Sequence, residues 1–555
     1  MAYLSFGVRW LLWALAGIRR RFRPPPEYVS FLVDEAFPQL APPSGPFWQR
    51  PFLGRPAMTL RDLAAAFAAI AADARVKGVV IHLRPLALSA ASAETFRELM
   101  ADLRQAGKRV VCWSALYTPS TYYVACAADE ILIQQAGEVL ALGYSTRYLF
   151  LADALNRAGL AADVVQITPF KTAFDVLGRS EMSAEARQMA EWLIDAQFGE
   201  LLQAVGGGRG LDEAGAQALV DGSPYTDLQA VAARAVDNVL GEEELPTYLK
   251  GGVAPWRSAR NRVGGPAPVP PGRYVAVLRI EGSIVDGRSG RAPRPVPVRV
   301  PLLLDDRAGD LTVVQEARRL AASRRVAAVV VWIDSGGGSG SASEAMAAAL
   351  VKLAERKPVV AAMGQLAASG GYYVATPARR IFAQPGTLTG SIGVINLKLV
   401  SGPLLDRLDF HRELISRGEH AAINSSDRPW SEEERRKVRD GIERGYEVFV
   451  GRVAEARGKS AQEVDTIAGG RVWTGRQALE RGLVDELGGL EKAIAAAREL
   501  AGLPPEAPAR ELKPSRRELA PAAPSPPLSY ALESARLLGG PGAKLLTPLI
   551  PWDEG

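Results

Sequence analysis

Cysteine and histidine are scarce in this sequence of 555 residues: two cysteines, Cys112 and Cys126, and three histidines, His82, His411 and His420. Two cysteines make neither a disulfide framework nor a Cys-rich zinc site. No His-Glu-x-x-His occurs, and so few imidazoles leave no multi-histidine metal centre to expect. No Gly-x-x-x-x-Gly-Lys-Ser/Thr occurs, which excludes a P-loop. Neither a metal nor a cofactor is therefore expected. Charge of one sign is also missing: 66 Lys and Arg against 61 Asp and Glu leave a net +5 over the whole chain. That balance gives no argument for a nucleic-acid partner. The apolar run at the amino end, Trp10 to Ile18, falls short of the ~20 residues a spanning helix needs. Arg19, Arg20, Arg21 and Arg23 follow it, on the wrong side for a signal peptide, and no small-residue cleavage site comes after them. The leader 1–26 reads as an interfacial helix with a basic flank, or else as a frayed amphipathic terminus.

What the sequence does have is apolar residues, 48% of the total. That is enough for packed domains, and the length suggests two or three of them. Pro24-Pro25-Pro26 closes the leader, a Gly/Pro-rich stretch at 251–272 reads as a linker, and the tail 503–555 is Pro- and Ala-rich. Two blocks remain, 27–250 and 273–502.

The blocks match at a constant offset. Arg75-Val76 matches Arg325-Val326, Glu94 matches Glu344, and Tyr122-Tyr123-Val124 matches Tyr372-Tyr373-Val374, each 250 residues apart. Gly143 and Gly393, and Leu155 and Leu405, keep the same offset; Tyr225-Thr226 with Trp473-Thr474 and Asp237 with Asp485 stand 248 apart. The chain is a tandem duplication. Each copy alternates helix and strand signals: helix Leu60–Ala74, strand Val79–Ile81, helix Ser92–Gln105 and strand Arg109–Cys112. The second copy has a helix near Val313–Ala322, strand Ala328–Ile333, a helix near Ala342–Glu355 and strand Pro358–Met363. Short apolar strands alternating with helices predict an α/β domain with mainly parallel pairing.

Differences between matched positions indicate which copy carries chemistry. The second copy has Ala367-Ala368-Ser369-Gly370-Gly371-Tyr372, with a serine between a strand and a helix. Such a serine is expected to present an exposed Oγ beside backbone N–H groups that stabilise an oxyanion. Pro119 occupies the matched position. The run Asp334-Ser335-Gly336-Gly337-Gly338-Ser339 lets the backbone approach a substrate carbonyl, and the first copy has Arg84 to Ser89 there. Taken singly, the serine is a helix cap and the glycine run an ordinary turn; both occur in the same copy.

The nucleophile needs a base. No histidine is well placed by sequence: His411 and His420 lie in a charged stretch and His82 on a strand of the other copy. A lysine held neutral is the other option. Lys171 in Ile167-Thr168-Pro169-Phe170-Lys171-Thr172-Ala173-Phe174 has apolar neighbours, and burial would lower its pKa. Ala421 stands at the matched position.

These segments carry a resemblance. LAASGGYYVATPA followed by TLTGSIGVI resembles the nucleophile segment of the signal peptide peptidase A (protease IV) family, peptidase family S49. DSGGGSGSASE resembles that family's N-S-P-G-G-S-x-x-A-S-E oxyanion loop, and FKTAFD with SEMSAEAR resembles its lysine segment, over roughly residues 50–500. Gly336 replaces the family's proline and Asp334 its asparagine. The resemblance implies a tandem ClpP/crotonase-like α/β fold, with Ser369 as nucleophile, Lys171 as base, Gly337 and Gly370 as oxyanion donors, and Ser391 supporting the lysine. It implies a serine endopeptidase with a Ser/Lys dyad that acts on cleaved signal peptides and other small or unfolded polypeptides. It further implies a homotetramer at the bacterial inner membrane with a periplasmic catalytic part. A crotonase-like acyl-CoA enzyme and a non-catalytic scaffold are the alternatives. Whether the dyad forms within one chain or between neighbours stays open.

Overall fold

The computed structural model describes residues 2–41, 58–265, 267–270, 272–291, 306–512 and 544–546. Its strands are the apolar runs of the sequence. Val326–Ser335 is buried at every position but Asp334, as expected for a central strand covered on both faces. Its neighbours Tyr274–Glu281 and Val359–Ala368 run parallel to it.

The chain forms two compact units: Met1–Ser145 with Ile194–Gly272, and Thr146–Leu193 with Arg273–Pro551. The first unit is built on a seven-stranded sheet. Its order is Tyr225–Thr226, Glu130–Val139, Arg109–Tyr117, Gly78–Leu83, Tyr28–Val33, Val253–Pro255, with Asn238–Val239 also on Glu130–Val139. The stretch 251–272 thus contributes an edge strand, followed by the short helix Trp256–Ala259.

The second unit has two sheets. One has eight strands, with Val359–Ala368 and Val326–Ser335 at its centre. The other has six, in the order Arg307–Gly309, Ser283–Val285, Gly337–Ser339, Lys544–Leu546, Ile395–Val400, Ala161–Gln166. Ala161–Gln166 comes from the first sequence repeat and pairs antiparallel along the whole of Ile395–Val400. The buried Asp163 carboxylate there accepts the Trp430 backbone N–H at 2.7 Å and pairs with Arg435. Trp192 stacks on Trp473 with ring centres 4.9 Å apart, and its Nε1 donates to Val472 O at 2.9 Å. These contacts hold 146–193 in the unit that carries Ser369.

The duplication extends to single hydrogen bonds. Tyr122 Oη donates to Ala235 O, and Tyr372 Oη to Leu483 O, both at 2.8 Å. Asp237 accepts Ile131 N–H and pairs with Arg209; Asp485 accepts Ile381 N–H and pairs with Arg457. In both copies the buried tyrosine hydroxyl binds a carbonyl just before a short strand, and the aspartate two residues further on binds the neighbouring strand. The fold is the expected α/β architecture in tandem.

The leader forms a 21-residue helix, Ala2–Phe22, with Trp10, Leu11, Leu12, Leu15 and Ile18 exposed. Among the described residues no helix is long and apolar enough to cross a membrane. Apart from Lys544–Leu546, the tail beyond Leu512 lies outside the described residues.

Candidate active site

Val359–Ala368 delivers its chain into Ser369, whose φ of 55° and ψ of −116° lie outside the helical and extended regions. Its N–H donates to Gly390 O, and its carbonyl accepts Tyr373 N–H, both at 2.8 Å. The strand therefore stops abruptly and a short helix, Gly370–Tyr373, begins on the next residue. Such strained non-glycine backbone costs about 1–3 kcal/mol and persists only where its surroundings over-determine it. Pro119 cannot adopt it, because proline holds φ near −65°. In the first copy Thr118 caps the helix Pro119–Ala125 in an ordinary capping box.

Lys171 meets Ser369 here. Its Nζ lies 2.7 Å from Ser369 Oγ, 2.7 Å from Ser391 O and 2.9 Å from Ser391 Oγ. Lys171, Ser369 and Ser391 have no exposed surface. Full burial holds the Lys171 amine well below the ordinary lysine range, because desolvation disfavours the ammonium. A neutral amine has two N–H donors and one lone pair. Two donors for Ser391 O and Ser391 Oγ leave the lone pair for the Ser369 hydroxyl proton, which matches the three contacts. The complete burial of Ser369 corrects the expectation of an exposed Oγ.

The lysine is held from three sides. Its N–H donates to Thr168 O at 3.2 Å, and the Thr168 hydroxyl donates to Gly469 O. Gly470 N–H donates to Ile392 O at 2.8 Å, and Ser391 N–H to Arg471 O at 2.6 Å. The Arg471 guanidinium lies 4.1 Å from the Phe170 ring centre. The 468–472 turn therefore supports both Lys171 and Ser391. Sequence reasoning passed over this turn, although Gly469-Gly470 was its visible signal.

The glycine loop abuts the serine. A Cβ on Gly370 would come within 2.6 Å of Ser343 Oγ and 3.1 Å of Gly337 Cα, so this contact requires glycine. Gly337 N–H donates to Ser335 Oγ at 3.2 Å, a long bond. Ser335 Oγ in turn donates to Gly282 O at 2.5 Å. Ser335 and Ser343, both buried, are further site residues that sequence reasoning did not single out. Asp334 Oδ1 accepts Leu366 N–H at 3.1 Å. Burial pushes its carboxyl up to about 7.

The histidines stand elsewhere. His82 is buried with Nδ1 3.3 Å from Glu242 Oε1, and burial lowers its pKa. His411 is exposed and His420 half-buried. Among the described residues, Glu419, His420 and Glu433 alone cluster closely enough to hold a metal ion, and none of them is buried. Cys112 and Cys126 are buried free thiols.

The profile described as "Peptidase family S49" matches this chain twice, at residues 102–254 and 351–504. Over 467 residues the chain is 28% identical to "Serine protease SPPA, chloroplastic" of Arabidopsis thaliana, covering 80% of this chain and 66% of that one. It is 30% identical over 463 residues to "Protease 4" of Salmonella typhi, covering 80% of this chain and 72% of the other. Among solved structures, a ClpP1 mutant from Listeria monocytogenes matches 39% of this chain and 94% of its own at 15% identity and a TM-score of 0.24. An enoyl-CoA hydratase/isomerase family protein from Hyphomonas neptunium matches 35% and 64% at 17% identity and a TM-score of 0.22. With the family profile matched in both repeats and over more than half of its length, the chain belongs to peptidase family S49, as a serine peptidase.

Proposed function

We propose that the chain is an endopeptidase with a Ser369/Lys171 dyad within one chain. The observation that carries this reading is the 2.7 Å approach of a fully buried lysine amine to the hydroxyl of a serine at a strained strand-to-helix turn. Ser369 Oγ attacks the scissile carbonyl carbon while its proton passes to Lys171 Nζ. The carbonyl π electrons move to oxygen, and the oxyanion is stabilised by the backbone N–H of Gly370 and of Gly337. The Lys171 ammonium then gives its proton to the leaving amine as the C–N bond breaks, which leaves an ester on Ser369. Water, deprotonated by the same amine, hydrolyses the ester. Ser391 orients the amine through its carbonyl and hydroxyl.

The substrates proposed are cleaved signal peptides and other small or unfolded polypeptides, which enter as extended chains. The proposed assembly is a homotetramer at a membrane surface, with the apolar and basic leader helix as its contact. Two observations favour oligomers. Ile395–Val400 is paired by a strand of the first repeat, whereas the stretch after the helix Gly402–Arg407 has no strand partner among the described residues, with Phe410, Leu414 and Ile415 exposed. An equivalent pairing between neighbouring chains would bury those side chains.

The test is labelling of the purified protein by a serine-directed phosphonate, together with hydrolysis of a short peptide ester. Both are expected to be lost in Ser369→Ala and Lys171→Ala while circular dichroism is unchanged. Turnover in either variant would overturn the dyad. Labelling by a coenzyme A analogue instead would favour the acyl-CoA reading.

A further inference from the structure

Five side chains stack in a column beside Lys171. The Arg471 guanidinium lies 4.1 Å from the Phe170 ring centre, and Phe170 lies 5.9 Å from Trp192. Trp192 stacks on Trp473 at 4.9 Å, and the Arg481 guanidinium closes the column 3.8 Å above Trp473. Two rings of the lysine-bearing stretch 146–193 are thus clamped between a cation and an indole of the second repeat. Hydrogen bonds lock the stack at its edges. Trp192 Nε1 donates to Val472 O and Trp473 Nε1 to Ile467 O, both at 2.9 Å, and Arg471 Nη1 donates to Ala468 O at 3.0 Å. The column reaches the dyad by two routes. Phe170 is the residue before Lys171, and the Arg471 carbonyl accepts Ser391 N–H at 2.6 Å. Ser391 O and Oγ in turn hold the Lys171 amine. The duplication supplies an internal comparison. The helices Ala184–Arg209 and Glu432–Arg457 keep the offset of 248, which sets Trp192 against Asp440, Arg471 against Ser223 and Arg481 against Ala233. Those residues bring neither ring nor cation, so the column is lost from the copy where Pro119 and Ala421 replace the dyad.

We infer that Arg471 is a positioning residue for the Ser369/Lys171 dyad: its side chain holds Phe170, and with it the lysine backbone, while its carbonyl holds Ser391. The inference rests on the dyad reading proposed above. The flat guanidinium lies on the Phe170 ring and still directs an N–H at Ala468 O, a combination that an ammonium on a flexible stem matches less well. Once Phe170 is loosened, the amine drifts from Ser369 Oγ and water enters beside it. Water restores the ammonium, because burial is what keeps the amine neutral. Loss of the clamp therefore slows the chemical step and raises the pH at which the base becomes active.

The experiment is the pH dependence of peptide-ester hydrolysis by full-length Arg471→Met, which keeps an unbranched stem without the cation, and by Arg471→Lys. In Arg471→Met, kcat at neutral pH is expected to fall about tenfold with KM little changed, and the rise of kcat/KM with pH to move up by about one pH unit. Arg471→Lys, which restores a cation over the ring, is expected to recover part of both. Phe170→Leu is expected to reproduce the loss, and Arg471→Met added to it to cost little more, since both remove one contact. Circular dichroism of each variant checks the fold. An unmoved pH profile in Arg471→Met would overturn the inference, including where thermal stability falls, because a merely structural residue gives that result. So would losses that add in full in the double variant. Lys171→Ala, assayed alongside, separates the two readings. If it is inactive while Arg471→Met keeps the natural pH profile, the dyad stands and the positioning role falls. If it hydrolyses the ester, the dyad itself is overturned, and the positioning role with it.

Discussion

Gly470 lies against the backbone of Lys171 so closely that a Cβ there would come within 2.6 Å of both the Lys171 N and Cα. Its φ of 84° is also one that side chains resist. Gly470→Ala must therefore push the lysine segment away from Ser369. Misplacement by about 1 Å costs on the order of 100-fold in rate, so kcat/KM for a peptide ester is expected to fall at least that far with the fold intact by circular dichroism. Wild-type kinetics in this variant would mean that the turn does not position Lys171.

Lys171→Met is expected to be inactive and more stable than the natural chain. A buried amine is unfavourable, and a thioether of similar length fills the same space. The Lys171 pKa is lowered on folding, so the natural chain gains stability as pH rises from its folded value towards the ordinary lysine value. The advantage of the methionine should accordingly be largest at neutral pH and shrink in alkali. Thermal unfolding at several pH values measures it, and a less stable variant at neutral pH would contradict it.

Activity depends on the same proton. Only the neutral amine takes the Ser369 proton, so kcat/KM should climb with pH through the folded pKa of Lys171 and then level off. A kcat/KM that falls as pH rises over the same range would contradict the neutral amine as base.

Asp334 gives a separate pH signal. Its carboxyl is pushed from 3.8 up to about 7, with burial as the largest cause and the Glu281 charge adding to it. A raised acid leaves folding unpenalised below its unfolded pKa and erodes stability as pH rises from there to the folded one. Asp334→Asn stays neutral and can still accept Leu366 N–H. Its stability advantage should grow between about pH 4 and pH 7, to at most about 4 kcal/mol, and stay constant above. Denaturant unfolding at pH 4, 5.5, 7 and 8 checks this; an advantage independent of pH would mean that Asp334 does not titrate in that range.

Much of this molecule was determined by the sequence alone. The constant offset announced the duplication, and it reappears in the paired bonds of Tyr122 and Tyr372 and of Asp237 and Asp485, because matched residues in matched folds find matched partners. The strands were legible because buried parallel strands are short apolar runs, although several run further in the structure, as Arg109–Tyr117 and Val359–Ala368 do. Comparing the copies singled out Ser369 against Pro119 and Lys171 against Ala421, since proline carries no nucleophile and alanine no base.

The tertiary structure decided the rest. That Thr146–Leu193 packs with the second repeat could not be read from its position, because the pairing of Ala161–Gln166 with Ile395–Val400 joins segments more than 200 residues apart. The turn Gly469-Gly470 behind the lysine, the hydroxyls of Ser335 and Ser343, and the seating of Lys544–Leu546 against Gly337–Ser339 are likewise long-range contacts. Local propensity and periodicity report on neighbours along the chain, whereas burial of Lys171 and of Ser369 Oγ is set by atoms that only folding brings near.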